Sequence, residues 1–516
     1  MMRFIGLFVL LCVPALCAQT TFKLSSENSV GSVRPAGNSI GVIKIVNDTI
    51  LMEAGGRLNI STDGGLSWQI FSIQDGIYKG GVSAIDFIHS IIFVSTIFDT
   101  SSSPKPNVGA GGGISFSTDF GVTWKNIPQP IDTFQSKFGF IIRSNGDTIS
   151  TTSIRTNIDN VIFDLAVTDS SVWIASFAGG IKMARRMTPT SFGEFEPVAI
   201  PPDTLDEVRA DQFYDFNVGP FNSNGQQVYN HTAFSVLAAS DGIWAGTAGG
   251  INYSTDGGLS WKKFTAQNSG ISGNFVVALA EQIYEESGTT FRNIWAATNR
   301  AVDPAESSGL SVTADSGKTW RVVLHGPFVN NIAFDGKTVY AATDDGMFRS
   351  RDLGLTWEKF ITLIDKNNGD RNYSPVFQTI GVDTVNHIIY FGNQDGLAIS
   401  DDDGLTWRFA RAYVDAGKNG EPKSYAYPNP FSPSILPNIT RFEFDRTGLN
   451  TTDKVTIKIF DFALDLVAIV AKNEPLNNSF SWNGLNNKGQ KAANGTYVYT
   501  IEAGRKKFWG KVTVRN

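Results

Sequence analysis

The 516-residue chain is 41% hydrophobic and 18% charged, with 51 glycines, 12% aromatic residues and two cysteines. Its net charge of −6 divides into +5 from Ser424 onward and −11 before it. An acidic body without a basic stripe argues against nucleic-acid binding, and abundant glycine without long helical periodicity predicts an all-β chain.

The opening stretch "MMRFIGLFVLLCVPALCAQTT" has one arginine, an apolar run and then small residues. This is the layout of a secretory signal peptide, expected over residues 1–18. The run from Phe4 to Leu16 is too short to cross a hydrocarbon core of about 30 Å. Leu16 is bulky where a lipoprotein signal has a small residue, so Cys17 is not expected to carry lipid. Both cysteines lie in this segment, so packing without disulfides is expected to hold the exported protein. No polybasic or amphipathic segment points to a membrane surface, and no transmembrane segment is expected after signal cleavage.

From residue 19 to residue 413 the chain repeats itself. "STDGGLSW" occurs at Ser61–Trp68 and again at Ser254–Trp261, with near-copies ending at Trp124, Trp320, Trp357 and Trp407. Asp and Gly at alternate positions suit a tight turn: the carboxylate accepts nearby backbone N–H groups and Gly tolerates positive φ. The acids Asp63, Asp119, Asp256, Asp315, Asp352 and Asp402 therefore read as hairpin clamps, with Trp68, Trp124, Trp261, Trp320, Trp357 and Trp407 starting the return strands. Upstream of each box lies a strand pair such as "FSVLAASDGIWAGTAGGINYS" (Phe234–Ser254). Four short strands per unit is the blade of a β-propeller. Seven units can be counted; that around Trp173–Ala184 lacks the box. Six or eight blades are the alternatives, and residues 22–40 are a candidate closing strand.

The pattern S-x-D-x-G-x-[ST]-W resembles the Asp-box, or BNR repeat, of sialidase-like propellers. It is similar too to repeats of xyloglucan hydrolases, sortilin-type receptors and photosystem II assembly-factor propellers. The resemblance implies the fold and a structural role for the box, and that fold hosts both enzymes and binders. A sialidase would need an arginine triad and a Phe/Tyr-Arg-Ile-Pro motif near the first blade. "VRPAG" at Val33–Gly37 is a poor version of that motif, and Arg143, Arg155, Arg209, Arg292 and Arg300 occupy no equivalent positions between blades.

An ordinary glycosidase needs two carboxyl groups across the scissile bond. The innermost strands offer Asp86, Asp164, Glu281, Asp335 and Asp383 as candidates, set against a plain role in turns. His89, His231, His325 and His387 show no metal spacing, and no cofactor motif is evident, so neither metal nor cofactor is expected. Extra length collects at Ile97–Gly112, Ile127–Asn160, Met187–Thr232, Asn299–Ser308 and Leu363–Pro375, expected on the face opposite the boxes. The longest insertion carries Phe213, Tyr214, Phe216, Phe221 and Tyr229 beside acids, a candidate binding loop for sugar or protein. Packing of the insertion onto the propeller accounts for the same aromatics.

Residues 414–424 are polar and read as a linker. Residues 425–516 then alternate as short strands with "NNKG" and "AANG" turns, a small β-sandwich. "YPNPF" and the later "WNGLNNKGQKAANGTYVY" resemble the Ig-like domain of flagellar hook-capping proteins and the C-terminal sorting domains of type IX secretion cargo. That resemblance implies export by a Bacteroidetes-like bacterium, with release or surface attachment. The expected protein is an exported, seven-bladed, non-enzymatic propeller binding an extracellular protein or glycan, with the secretion machinery as second partner. A glycoside hydrolase and a structural envelope component are the alternatives.

Overall fold

The computed structural model describes residues 32–100, 108–132, 138–188, 190–222, 224–360, 363–365, 369–413, 416–417, 421–435 and 438–516. The signal-peptide residues and Cys17 lie outside these. The described chain is nearly all β, with one four-residue α-helix at Ala266–Ser269.

Seven antiparallel sheets follow one another over residues 40–71, 81–128, 162–197, 233–264, 275–325, 329–360 and 377–410. The first strand of each packs against the first strand of the next, and that of the seventh returns to that of the first. The chain is thus a β-propeller with its first strands around a central channel. Second strands such as Gly242–Thr247 (GIWAGT) and Thr338–Thr343 (TVYAAT) are buried almost throughout. Each lies between two neighbouring blades, so small and aromatic residues alternate to fill both sides.

The ring closes without a shared strand among the described residues. Ser32 forms only an isolated bridge to Trp68 of its own blade, so the closing strand expected from residues 22–40 is not seen in the described part. Closure rests on Ile43 N–H donating to Thr379 Oγ1 at 3.1 Å, Arg408 donating to the Gly64 carbonyl, and Ala412 N–H donating to Asn38 Oδ1 at 2.7 Å.

After the seventh blade come two further sheets, one of strands Ser424–Tyr427, Thr440–Phe444 and Ser481–Trp482. The other runs in the order Leu466–Pro475, Lys454–Phe460, Gly495–Ala503, Lys506–Val514. They enclose one core around Phe442, Ile457, Trp482, Tyr499 and Ile501. This sandwich is seated on the propeller rather than hung from it. Arg441 reaches Asp395 of the seventh blade through two bonds of 2.5 and 2.7 Å and also bonds the Arg371 carbonyl and the Tyr413 hydroxyl. Arg441 and Asp395 are each 2% exposed. Burial pushes Asp395 up, but Arg411 and Arg441 pull it below the usual carboxylate value.

Candidate functional site

The boxes lie at the turns between third and fourth strands, and all six are built alike. In the first, Asp63 Oδ1 accepts from Ser61 Oγ at 2.8 Å and from the Leu66 and Ser67 N–H groups at 3.0 and 2.9 Å. Asp119, Asp256, Asp315, Asp352 and Asp402 repeat the hydroxyl bond with Ser117, Ser254, Thr313, Ser350 and Ser400, and each accepts the backbone N–H four residues on. Hydrogen bonds from Thr356 and Ser350 hold the partly exposed Asp352 carboxyl down at about 2.

The box tryptophan works between blades. Trp261 meets Trp173 of the preceding blade edge-on with centroids 6.3 Å apart, and Trp320 meets Trp244 at 6.2 Å. Trp68 packs with Tyr390 and Ile399 of the seventh blade. The box glycine makes room for this contact: at Gly258, with φ of +91°, a Cβ would lie 2.7 Å from the Trp173 ring.

The other face differs. Each innermost strand carries one extra residue near its start, a β-bulge repeated in all seven blades. The extra residues are Ser83, Phe163, Phe234, Val277, Asn330 and Gln378, with Gly41–Val42 in the first blade, and all are partly exposed. A bulge bends its strand and re-aims the side chain. Because the strands start on the face opposite the boxes, these residues ring the mouth of the channel.

The ring has two halves. In the third and fourth blades Phe163 stacks on Phe234 at 5.5 Å, and Phe275 of the fifth meets Phe234 edge-on at 4.7 Å. Phe177 and Phe328 extend the aromatic arc. Across the mouth Asn330 donates to the Phe377 carbonyl at 2.9 Å and Ser83 to the Ile162 carbonyl at 2.8 Å. The Gln378 side chain has no hydrogen-bond partner among the described residues.

Of the five candidate carboxylates, only Asp86 and Asp164 come together, around Lys44 in the channel. Lys44 Nζ lies 3.6 Å from Asp86, which accepts the Val167 N–H at 2.8 Å. Asp164 accepts the Val236 N–H at 3.1 Å; burial raises its carboxyl to about 6 against the pull of Lys44. Burial works to lower the Lys44 ammonium, yet Asp86 and Asp164 carry it above its ordinary value. The other three are spent elsewhere. Glu281 accepts the Ser240 N–H and lies 3.5 Å from Arg292. Asp335 pairs with His387 at 2.7 Å, and Asp383 caps its own turn through the Val385 and Asn386 N–H groups.

The long insertion departs from the expected single face. Glu207–Val208 adds an outer strand to the fourth blade against Trp261–Lys262, and Ala210 N–H reaches Ser260 Oγ inside that blade's box. The insertion thus follows the outer edge from one face to the other, because that edge offers unpaired backbone groups. Farther along, Asn217–Val218 joins Phe138–Ile142 and Thr148–Thr152 in a small sheet, so two insertions fold together. Tyr214 lies under the Arg143 guanidinium at 5.2 Å and meets Phe216 at 6.2 Å, while Tyr229 N–H donates to Asp203. Phe213 and Phe221 are 71% and 53% exposed. Tyr214 and Phe216 therefore pack the insertion, Phe213 and Phe221 face solvent, and Tyr229 is half-buried.

Among the described residues no group of three His, Cys, Asp or Glu is arranged to hold a metal ion, and no helix is long and apolar enough to cross a membrane. No family model and no curated relative matches the chain. Among solved structures it is similar to an ancestral GH74 enzyme, at 13% identity and a TM-score of 0.49, covering 94% of this chain and 64% of that one. It is also similar to PorZ, a surface component of the type IX secretion system of Porphyromonas gingivalis, at 14% identity and a TM-score of 0.22 over 92% and 82% of the two chains. The extracellular domain of a hybrid two-component system of B. thetaiotaomicron matches at 13% identity and a TM-score of 0.28, over 93% and 73%.

Proposed function

We propose that the chain is an exported bacterial Asp-box propeller that binds a protein or glycan, without catalysis, at the mouth opposite its boxes. Its Ig-like C-terminal sandwich then serves type IX export or surface attachment. The observation that supports this reading is the seven-fold bulge. It sets Phe163 and Phe234 opposite Asn330 and Gln378, partly exposed. An aromatic wall facing amides suits a ligand with one apolar face and one polar face.

A glycan array, with a pull-down from extracellular proteins, tests it. Phe163→Ala with Phe234→Ala should weaken retention of any ligand so found by about ten-fold or more. Phe213→Ala with Tyr214→Ala should leave it unchanged. The reverse result moves the site to the insertion.

A hydrolase is the second reading, and Asp86 with Asp164 favours it. A carboxyl raised to about 6 is suited to proton donation. Both carboxylates also brace the next blade through backbone N–H groups, which accounts for them without chemistry. Polysaccharide cleavage abolished by Asp164→Asn would establish the hydrolase.

A further inference from the structure

The two sheets of the C-terminal sandwich have different surroundings. The smaller sheet carries Arg441 and Ser481, whose side chains bond Asp395 and Tyr373 of the propeller. The larger sheet therefore turns its outer face away from the ring. On the strands Lys454–Phe460, Gly495–Ala503 and Lys506–Val514 alternate residues turn to the core, including Ile457, Tyr499 and Val512. The alternate residues face outward, and their register is set by backbone pairing.

Those outward residues form rows across the sheet. One row is Ile469, Lys458, Thr500 and Trp509; the next is Leu466, Phe460, Val498 and Lys511. Trp509 is 69% exposed. Lys454, Lys458, Lys507 and Lys511 stand on this face against one acid, Glu502, which Lys507 engages at 3.0 Å. At the end of the face the hairpin turn projects Phe462, 95% exposed, and Leu464, 69% exposed. Asp461 is occupied in capping that turn, accepting the Ala463 and Asp465 N–H groups at 2.9 Å; Asp465 is the exposed acid beside the tip.

Large apolar side chains at a tip are costly in water and signal a partner. The chemistry around them says which kind. Lysines with an interfacial tryptophan and a projecting apolar turn match a surface that is negatively charged outside and apolar just beneath. A soluble polyanion would have no use for Phe462 and Leu464. A second copy docked by two-fold symmetry would set lysine against lysine.

We propose that the outer face of the larger sheet docks onto an anionic lipid surface, with the Phe462–Leu464 turn entering the headgroup layer. This rests on the reading of the sandwich as an attachment module. It gives that attachment a chemistry.

Co-sedimentation of the full chain with vesicles of equal parts phosphatidylglycerol and phosphatidylcholine tests it. The protein should pellet with these vesicles at low salt, stay in solution with phosphatidylcholine alone, and be released as salt rises. Phe462→Ser with Leu464→Ser, and separately Lys507→Glu with Lys511→Glu, should each lower partitioning by about ten-fold. All four positions are exposed or on the outer face, and an unchanged circular dichroism spectrum confirms folding. Failure to pellet with the anionic vesicles overturns the proposal, as does pelleting that both variants retain. So does a dimer in sedimentation velocity that the Phe462 variant dissolves, or equal retention by a soluble polyanion through the lysines alone. If vesicle binding fails while the protein still fractionates with the cell surface, the attachment reading survives and only its lipid chemistry falls.

Discussion

On the box face, Asp256 spends its carboxylate on Ser254 and on two backbone N–H groups of its own turn, and Trp261 is buried against the preceding blade. On the opposite face, Phe234 and Gln378 occupy bulges, partly exposed, and the Gln378 amide bonds no described residue. The same blade therefore has one end whose side chains hold the ring and one end whose side chains are available. Stability and recognition can then be changed separately.

Removing the Trp261 ring should break the ring-holding end most severely. Trp261→Ala is expected to cost about 3–5 kcal/mol in chemical denaturation, because the cavity opens between two blades. A loss below about 1 kcal/mol would mean that the boxes do not pin neighbouring blades.

The next effect is pH-dependent. Glu53, 7% exposed, accepts the Gly56 N–H and the N–H of Gly41 in the first blade's bulge. Burial raises its carboxyl from 4.5 to about 7. Its folded value lies above its unfolded one, so its contribution is full below pH 4.5 and is lost as pH rises through about 7. The loss is at most about 3 kcal/mol. Stability measured across this range should flatten in Glu53→Gln, and Asp164→Asn should flatten its own share, since burial raises Asp164 from 3.8 to about 6. Unaltered slopes in both variants would remove this account.

Asp256→Ala should cost about 1–2 kcal/mol by thermal unfolding, the worth of a few turn hydrogen bonds with partial replacement by water. Smallest of all, Gln378→Ala should shift stability by no more than about 0.5 kcal/mol while weakening any ligand held at the mouth. A stability loss at Gln378 as large as that at Asp256 would erase the difference between the faces.

The ring-holding half was legible in the sequence because it repeats: Ser, Asp, Gly and Trp recur at fixed offsets, and each offset has a local physical reason. The mouth was not. A bulge is one unmatched residue between paired strands, and Phe163 or Asn330 reads like any residue at the start of a strand. The course of Met187–Thr232 was hidden too, since pairing of Glu207–Val208 with Trp261–Lys262 depends on a free blade edge. The lysine face of the sandwich escaped for a third reason. Lys454 and Lys458 lie in one strand and Lys507 and Lys511 in another far along the chain, and only strand pairing through Gly495–Ala503 brings them to one surface.

The seating of Arg441 bears on what proteolysis can do. A protease that cuts within residues 414–424 would sever the peptide connection but not the buried guanidinium–carboxylate grip or the Tyr373–Ser481 bond. Nicked protein should travel through gel filtration as one particle and separate into two fragments only in denaturant. A processing cut there would leave ring and sandwich as a non-covalent pair.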